Sequence, residues 1–538
     1  MQISTDKKPI KKDDKSASDK TIIGKAAIGL SIIAIVSKVF GFAEKLIVAH
    51  FFGTDARADV YFAAMGIILS IVFLIKELIY PTVIPVFAQA LKISFHASSG
   101  LFKKLFFRLL FILVCFTIIA MFFSDVITNI LVLGFSEDKK LLTSSLLRFL
   151  APACLFMCLM TFTQSVLNCR RNFFKAAIPE AGFKLFIAIG LIILIPLMNV
   201  YALVIVALAG SILAFCLQFI FIPESKACLA YSAYEANDGF ARILKLMGPL
   251  VLGVVFSHIS GLVDNMLAST LPTGQLSYLG YSKKLIDAFL FIGPVALVTV
   301  VYSQMSHLAA EGKFENFRFL FIKVLRLILF VSIPAAIILV MLREPVVAAL
   351  FERGKFTHQS TFGTSRILFI YAVGLVTFAV EVLVVYSFYA LSNTKAPVKI
   401  GIFAVIIDII LSVTLVGPFG IAAIAWAYVF SKTLKVVILL LVMDIKLKFL
   451  RSSVFINFLL KIIISCTVSA FCLYLLRNLN QNSPFLQKFV FDLAVPAAGF
   501  TAAFLLCSRL FRIEELNLLS AVVVRRKNLK SELMDDIS

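Results

Sequence analysis

Three charged side chains, Lys38, Glu44 and Lys45, interrupt the otherwise apolar stretch SIIAIVSKVFGFAEKLIVAHFFG. The stretch is long enough to cross a bilayer, which takes about 20 helical residues. A charge at the bilayer centre costs about 2.5–3.5 kcal/mol on insertion scales, so these residues need water or a partner. Lys38, Gly41, Phe42 and Lys45 follow the i, i+3, i+4, i+7 spacing of one helix face. The glycine leaves that face open between two ammonium groups. Two readings stand: the face lines a positive, water-filled interior suited to an anionic cargo, or the lysines snorkel to headgroups from a tilted helix.

The elements that must position these groups follow from composition. The chain has 61% hydrophobic and only 15% charged residues, with 54 phenylalanines in 538 positions. Its mean hydropathy is +1.01. Such a chain is a polytopic membrane protein. Strand alternation is absent and the apolar runs are too long for barrel strands, so an all-α fold is predicted. The nine cysteines form no CxxC pair, and Cys154 and Cys158, on one helix face, read as packing. The five histidines lack metal spacing, so no metal site is predicted. The net charge of +21 sits largely in loops, where the positive-inside rule accounts for it without nucleic acid. The lysine-rich first twenty residues look like a signal n-region, but the segment after them lacks a small-residue cleavage site and is expected to remain as a span.

Fourteen spans are predicted. They group into a basic tail (1–25), a six-helix N-lobe (26–222), a six-helix C-lobe (240–443), two further helices (454–510) and an amphipathic tail (511–538) that lies on anionic headgroups. With the N-terminus inside, inner segments hold roughly thirty basic residues against about eight outside, which places both termini in the cytoplasm. At an offset of 220, VSKVFGFAEKLIVA meets FSHISGLVDNMLAS, pairing Gly41 with Gly261 and Glu44 with Asp264, and further on Tyr61 with Tyr281. Six spans separate the copies, which implies a parallel pseudo-repeat of the kind found in transporters.

SKVFGFAEKLIVAHFFGTDARADVYFAA resembles the S-R-V-x-G-F-x-R-[DE] block of the MurJ/MviN family of lipid II flippases, within the multidrug/oligosaccharidyl-lipid/polysaccharide exporter superfamily. LFERGKFT (350–357) is similar to that family's L-F-x-x-G-x-F-T motif, and NTKAPVKI, KLMGPLVLGVVFSHIS and the Gly417-Pro418 pair add to the likeness. The resemblance covers nearly the whole chain, including the last two spans. It implies a two-lobed helical protein with a cationic cavity, moving undecaprenyl-diphosphate-linked peptidoglycan precursor to the outer leaflet by alternating access. The last two helices would form a groove for the lipid tail. It also implies the bacterial cytoplasmic membrane as location, membrane lipids as surroundings, and cell-wall synthesis enzymes as candidate partners, with a monomer sufficient.

Carried over residue by residue, the family's first-span arginines fall on Lys38 and on Glu44, a sign reversal, with Lys45 beside it. Its acid after the first loop is Asp59. Its D-R-L-x-E reads Lys283-Lys284-Leu285-Ile286-Asp287, and Lys76 lies one turn beyond the usual second-span arginine. Asp264, Asp408 and Ser412 fall where some members build a cation site from their seventh and eleventh spans. They would suit Na⁺ or a proton, with membrane potential as another driving force, or else pair with nearby lysines or amides. No other cofactor is expected. Lys432, Lys435 and Lys461 read as snorkelling, Glu381 stands where the family often has a base, and Phe351 and Phe356 as docking on the membrane interface. A flippase for another undecaprenyl-linked glycan, of O-antigen or capsule type, is the alternative. A cationic-drug antiporter fits a positive cavity poorly. An enzyme is disfavoured because no loop is long enough for a catalytic domain and no His-centred constellation appears.

Overall fold

A chain in lipid must satisfy its backbone groups internally, and here only helices do so among the described residues. The computed structural model describes residues 13–170, 172–225, 239–447, 453–478 and 489–517. The helices are α1 (Asp13–Phe52), α2 (Ala56–Ile93), α3 (Phe95–Phe122), α4 (Ser124–Leu131), α5 (Glu137–Cys169), α6 (Phe173–Met198), α7 (Tyr201–Phe221) and α8 (Gly239–Ser269). There follow α9 (Gln275–Leu290), α10 (Ala296–Ala310), α11 (Phe314–Met341), α12 (Arg343–Phe351) and α13 (His358–Ala390). The last are α14 (Lys395–Phe419), α15 (Ile421–Leu447), α16 (Ser453–Asn478) and α17 (Val495–Leu510). A π-helical turn around Pro294, Phe291–Val295, joins α9 to α10.

Twelve helical segments are long and apolar enough to cross a membrane, or thirteen if Arg242–Gly248 and Gly253–Ser269, bent by 47°, form one span. The all-helical polytopic architecture is therefore present, while the expected count of fourteen is not reached among the described residues. The span left over is 26–52 on α1, the helix that carries Lys38, Glu44 and Lys45. Of the expected tails, 1–12 and 518–538 lie outside the described residues, while 13–25 form the first turns of α1 and are not a separate segment. In the second tail, Glu514 and Glu515 pair with Arg326 at 3.1 and 2.6 Å.

The chain divides into two compact units. The first comprises 1–44, 75–117 and 152–247, the second 45–74, 118–151 and 248–538. Their boundaries fall inside α1, α2, α3, α5 and α8, the one in α5 at Pro152, where a helix-interior proline deletes a backbone hydrogen bond. In the first unit Phe102 stacks on Phe106 and Phe162, and Phe215 and Phe219 continue the aromatic row. Buried Gln218 accepts from Thr163 Oγ1 at 2.6 Å and donates to the Ala176 carbonyl at 3.0 Å, so its amide is satisfied. In the second unit α13 is the central helix, packed by α9, α10, α11, α12 and α15. Thr357 caps it, accepting from Ser360 N. Its core face, with Leu383, Val384 and Phe388, meets Phe317, Phe321 and Val324 of α11.

One end of the second unit is tied by polar bonds. Asp55 Oδ1 accepts from Arg57 N and Ala58 N and opens α2. Asp59, one turn later, accepts from Gly274 N at 2.7 Å, Ser277 N at 3.0 Å and Ser277 Oγ at 2.7 Å, capping α9 from outside its own chain segment. Tyr281 donates to the Gly53 carbonyl at 2.9 Å, and Lys355 N donates to the His50 carbonyl at 2.8 Å. Gly354, at φ +63°, approaches so closely that a Cβ would lie 2.3 Å from that His50 oxygen. Phe351 and Phe356 are buried and pack on Tyr281 at 5.1 and 5.4 Å. They do not dock on the membrane interface as the sequence suggested, because Gly354 folds the loop back onto the α1 end.

Gly354→Val should lower thermal stability by about 2 kcal/mol or more, since it adds a left-handed backbone penalty to a backbone clash. Unchanged unfolding of the purified variant would contradict this account of the loop.

Candidate functional site

The first unit gathers its charges from four helices. Three of these supply pairs four residues apart, which helical geometry places on one face: Lys76 and Tyr80 on α2, Gln164 and Asn168 on α5, Glu180 and Lys184 on α6. Lys38 of α1 is exposed, whereas Lys76, Glu180 and Lys184 are half-buried. Glu180 Oε2 accepts from Gln164 Nε2 at 2.8 Å. Its carboxylate interacts electrostatically with Lys76, Lys184 and Lys38. Lys76 Nζ lies 5.8 Å from the Tyr80 ring centre, and Tyr80 Oη accepts from Asn168 Nδ2 at 3.0 Å. The stem of Lys184 runs past Gly41, where a Cβ would stand 3.9 Å from its Cδ. The opening left by Gly41 on the Lys38 face is therefore filled by a third lysine.

Lys38 and Lys76 were legible from sequence, but Glu180 and Lys184 were missed. The signal was present as two charges four residues apart inside an apolar span. Among these seven side chains three lysines interact electrostatically with one carboxylate. Lysines bind phosphate oxygens as point charges, without the fixed fork of arginine.

The remaining expected residues take separate places. Glu44 is buried. Lys45, also buried, donates to the Tyr61 hydroxyl and lies 4.6 Å from that ring's centre and 5.7 Å from that of Phe62. Asp59 is committed to the α9 start and to Lys139, at 3.3 Å. On α9, Lys284 and Asp287 are half-buried. Their neighbour Lys283 interacts electrostatically with Asp264 and Asp287, with Nζ 4.7 Å from the Tyr428 ring centre.

Asp264 of α8 and Asp408 of α14 are buried and interact electrostatically. Asp408 accepts from Ser260, while its Oδ1 and Ser412 Oγ are buried with no hydrogen-bond partner among the described residues. Two orphaned oxygens beside a second carboxylate are donors of the kind a hard monovalent cation or a proton takes, and Lys283 and Lys432 interact electrostatically with the same carboxylates. Glu381 of α13 pairs with Lys432 at 3.0 Å and Lys435 at 2.6 Å, both from α15. These two lysines do not snorkel as expected. A carboxylate on the facing helix gives them a nearer partner than the headgroups.

A family model described as Lipid II flippase MurJ matches residues 48–494. The chain is 25% identical, over 86% of its length and 92% of the relative's, to a Buchnera aphidicola protein described as "Probable lipid II flippase MurJ". It is 26% identical to a protein so described from Vibrio cholerae, over 77% of this chain and 82% of that one. Its fold is similar to a solved structure titled "Lipid II flippase MurJ, inward closed conformation", with TM-score 0.76 and 24% identity over 90% of this chain and 99% of the other. An inward-facing MATE family transporter of the MOP superfamily follows at TM-score 0.66 and 13% identity, over 77% and 94% of the two chains.

Glu381→Ala should cost about 3 kcal/mol or more, because it leaves two lysines facing an emptied position. Replacing Lys432 and Lys435 by Met in the same chain should recover part of the lost melting temperature. A triple variant less stable than Glu381→Ala would reject this pairing as the stabilising interaction.

Proposed function

The chain belongs to the MurJ family of lipid II flippases, and on that premise we propose that it moves undecaprenyl-diphosphate-linked peptidoglycan precursor from the inner to the outer leaflet of the cytoplasmic membrane. The single observation that carries this reading is the family match across 48–494. The apolar helices suit a multi-pass membrane protein, and lysines within them give the diphosphate something to bind. In this reading Lys38 and Lys76 are the phosphate-binding residues of the first unit, and Lys45 and Lys284 are the candidates of the second, each unit taken by itself. Asp287 and Asp59 keep their surroundings from becoming uniformly positive. The protein acts as a transporter, with both termini in the cytoplasm as the loop charges favour.

The energy source we assign to Asp264, Asp408 and Ser412. Their oxygens would take up Na⁺, or one carboxylate a proton, while membrane potential acts on the same charges. One observation favours a second cargo of the same class. Lysines stand where arginines are usual in the family, and Glu44 reverses a sign, so a different undecaprenyl-linked glycan is the alternative.

Lys38→Ala and Lys284→Ala should each reduce flipping in reconstituted vesicles by about tenfold or more while inserting normally, as loss of a phosphate contact implies. Full activity in both would remove the cationic binding site from the account. In the native host, depletion should make lipid II accumulate on the inner leaflet. Build-up of an O-antigen or capsule intermediate with normal lipid II would instead select the alternative cargo. Asp264→Ala or Asp408→Ala with unchanged ion dependence would remove the coupling site.

A further inference from the structure

Three lysines of the first unit share one acidic neighbour, and that neighbour has no assigned role. Glu180 is held in place by Gln164 Nε2 at 2.8 Å and interacts electrostatically with Lys76, Lys184 and Lys38. Lys184 is positioned from the same helix face, one turn on, and its stem lies in the notch at Gly41. Tyr80, braced by Asn168 at 3.0 Å, presents its ring to Lys76. Four helices thus converge on a site whose only hydrogen-bonded carboxylate is Glu180 among these seven side chains.

We propose that Glu180 is a resident stand-in for the cargo's diphosphate, and that Lys184 is a third phosphate-binding ammonium. Placing ammonium groups within a membrane is costly, and a carboxylate interacting with them lowers that cost when no cargo is bound. Glu180 supplies that carboxylate, one acid against three lysines among these seven side chains. A diphosphate carries more charge than a carboxylate and reaches several lysines at once, so it wins the exchange. Glu180 then falls back on the Gln164 amide. A neutral headgroup has no charge with which to displace it, which makes the exchange a filter for anionic lipids. The exchange also limits how tightly the diphosphate is held, since part of its binding free energy goes into displacing Glu180. A carrier needs that limit in order to release its cargo.

This inference rests on the flippase reading for the identity of the cargo, though not for the anion chemistry, and the test separates the two. Full-length protein in detergent is titrated with inorganic pyrophosphate. Glu180→Gln keeps the acceptor for Gln164 and removes the competing charge, so it should bind pyrophosphate about five- to tenfold more tightly than the parent chain. Lys184→Met keeps the stem beside Gly41 and should bind about tenfold more weakly, whereas Lys184→Arg should restore binding. Equal or weaker binding by Glu180→Gln, with a melting temperature like the parent's, would overturn the stand-in role. Parent-like binding by Lys184→Met would overturn the role of Lys184. If the pyrophosphate shifts appear while lipid II flipping is absent in every variant and in the parent, the anion exchange is supported and the cargo assignment falls.

Discussion

An ammonium group inside a membrane needs a counter-charge, an aromatic face or water, and this constraint accounts for the lysine contacts within the spans. Each unit meets it in its own way. In the first, Lys38, Lys76 and Lys184 share Glu180. In the second, Lys432 and Lys435 share Glu381, Lys283 lies among aspartates beside Tyr428, and Lys45 lies over Tyr61. The groups differ in balance. The Glu381 cluster uses direct contacts of 2.6–3.0 Å and suits a structural role. The Glu180 cluster has one exposed lysine and a carboxylate that interacts electrostatically with three, an arrangement looser than the Glu381 ion pairs.

The polar end of the second unit answers a different need. Helix ends leave backbone donors without partners, and lipid cannot supply them. Asp59 provides three acceptor bonds to the start of α9, while Gly274 and Gly354 allow turns that a side chain would block. The motif LFERGKFT is thereby explained by close backbone approach and by aromatic packing on Tyr281.

Much of this was legible in the sequence, and the remainder was hidden for physical reasons. Hydropathy sets helices in lipid because backbone groups have no alternative, so the all-α fold could be read directly. Lys38 stood out because isolated charge in an apolar run is conspicuous. Glu180 and Lys184 did not, because an acid and a base one turn apart read as a self-satisfied pair when their neighbours are unknown. Lys432 and Lys435 were misread because their partner, Glu381, lies about fifty positions earlier in the chain. Pairing between helices depends on which faces meet, and that is a property of packing and not of local spacing.

The matched tyrosines carry a last implication. Tyr61 and Tyr281 pair at the 220-residue offset read from the sequence, and both are fully buried. Their hydroxyls have taken opposite chemical roles, Tyr61 accepting from Lys45 and Tyr281 donating to a backbone carbonyl. Loss of the first hydroxyl removes an acceptor from a buried cation. Loss of the second takes a donor from the buried but uncharged Gly53 carbonyl, which costs less than taking a partner from a buried charge. If the halves arose by duplication, drift since then has been unequal in what it permits: position 281 can wander to phenylalanine more readily than position 61, and the two copies are no longer interchangeable parts.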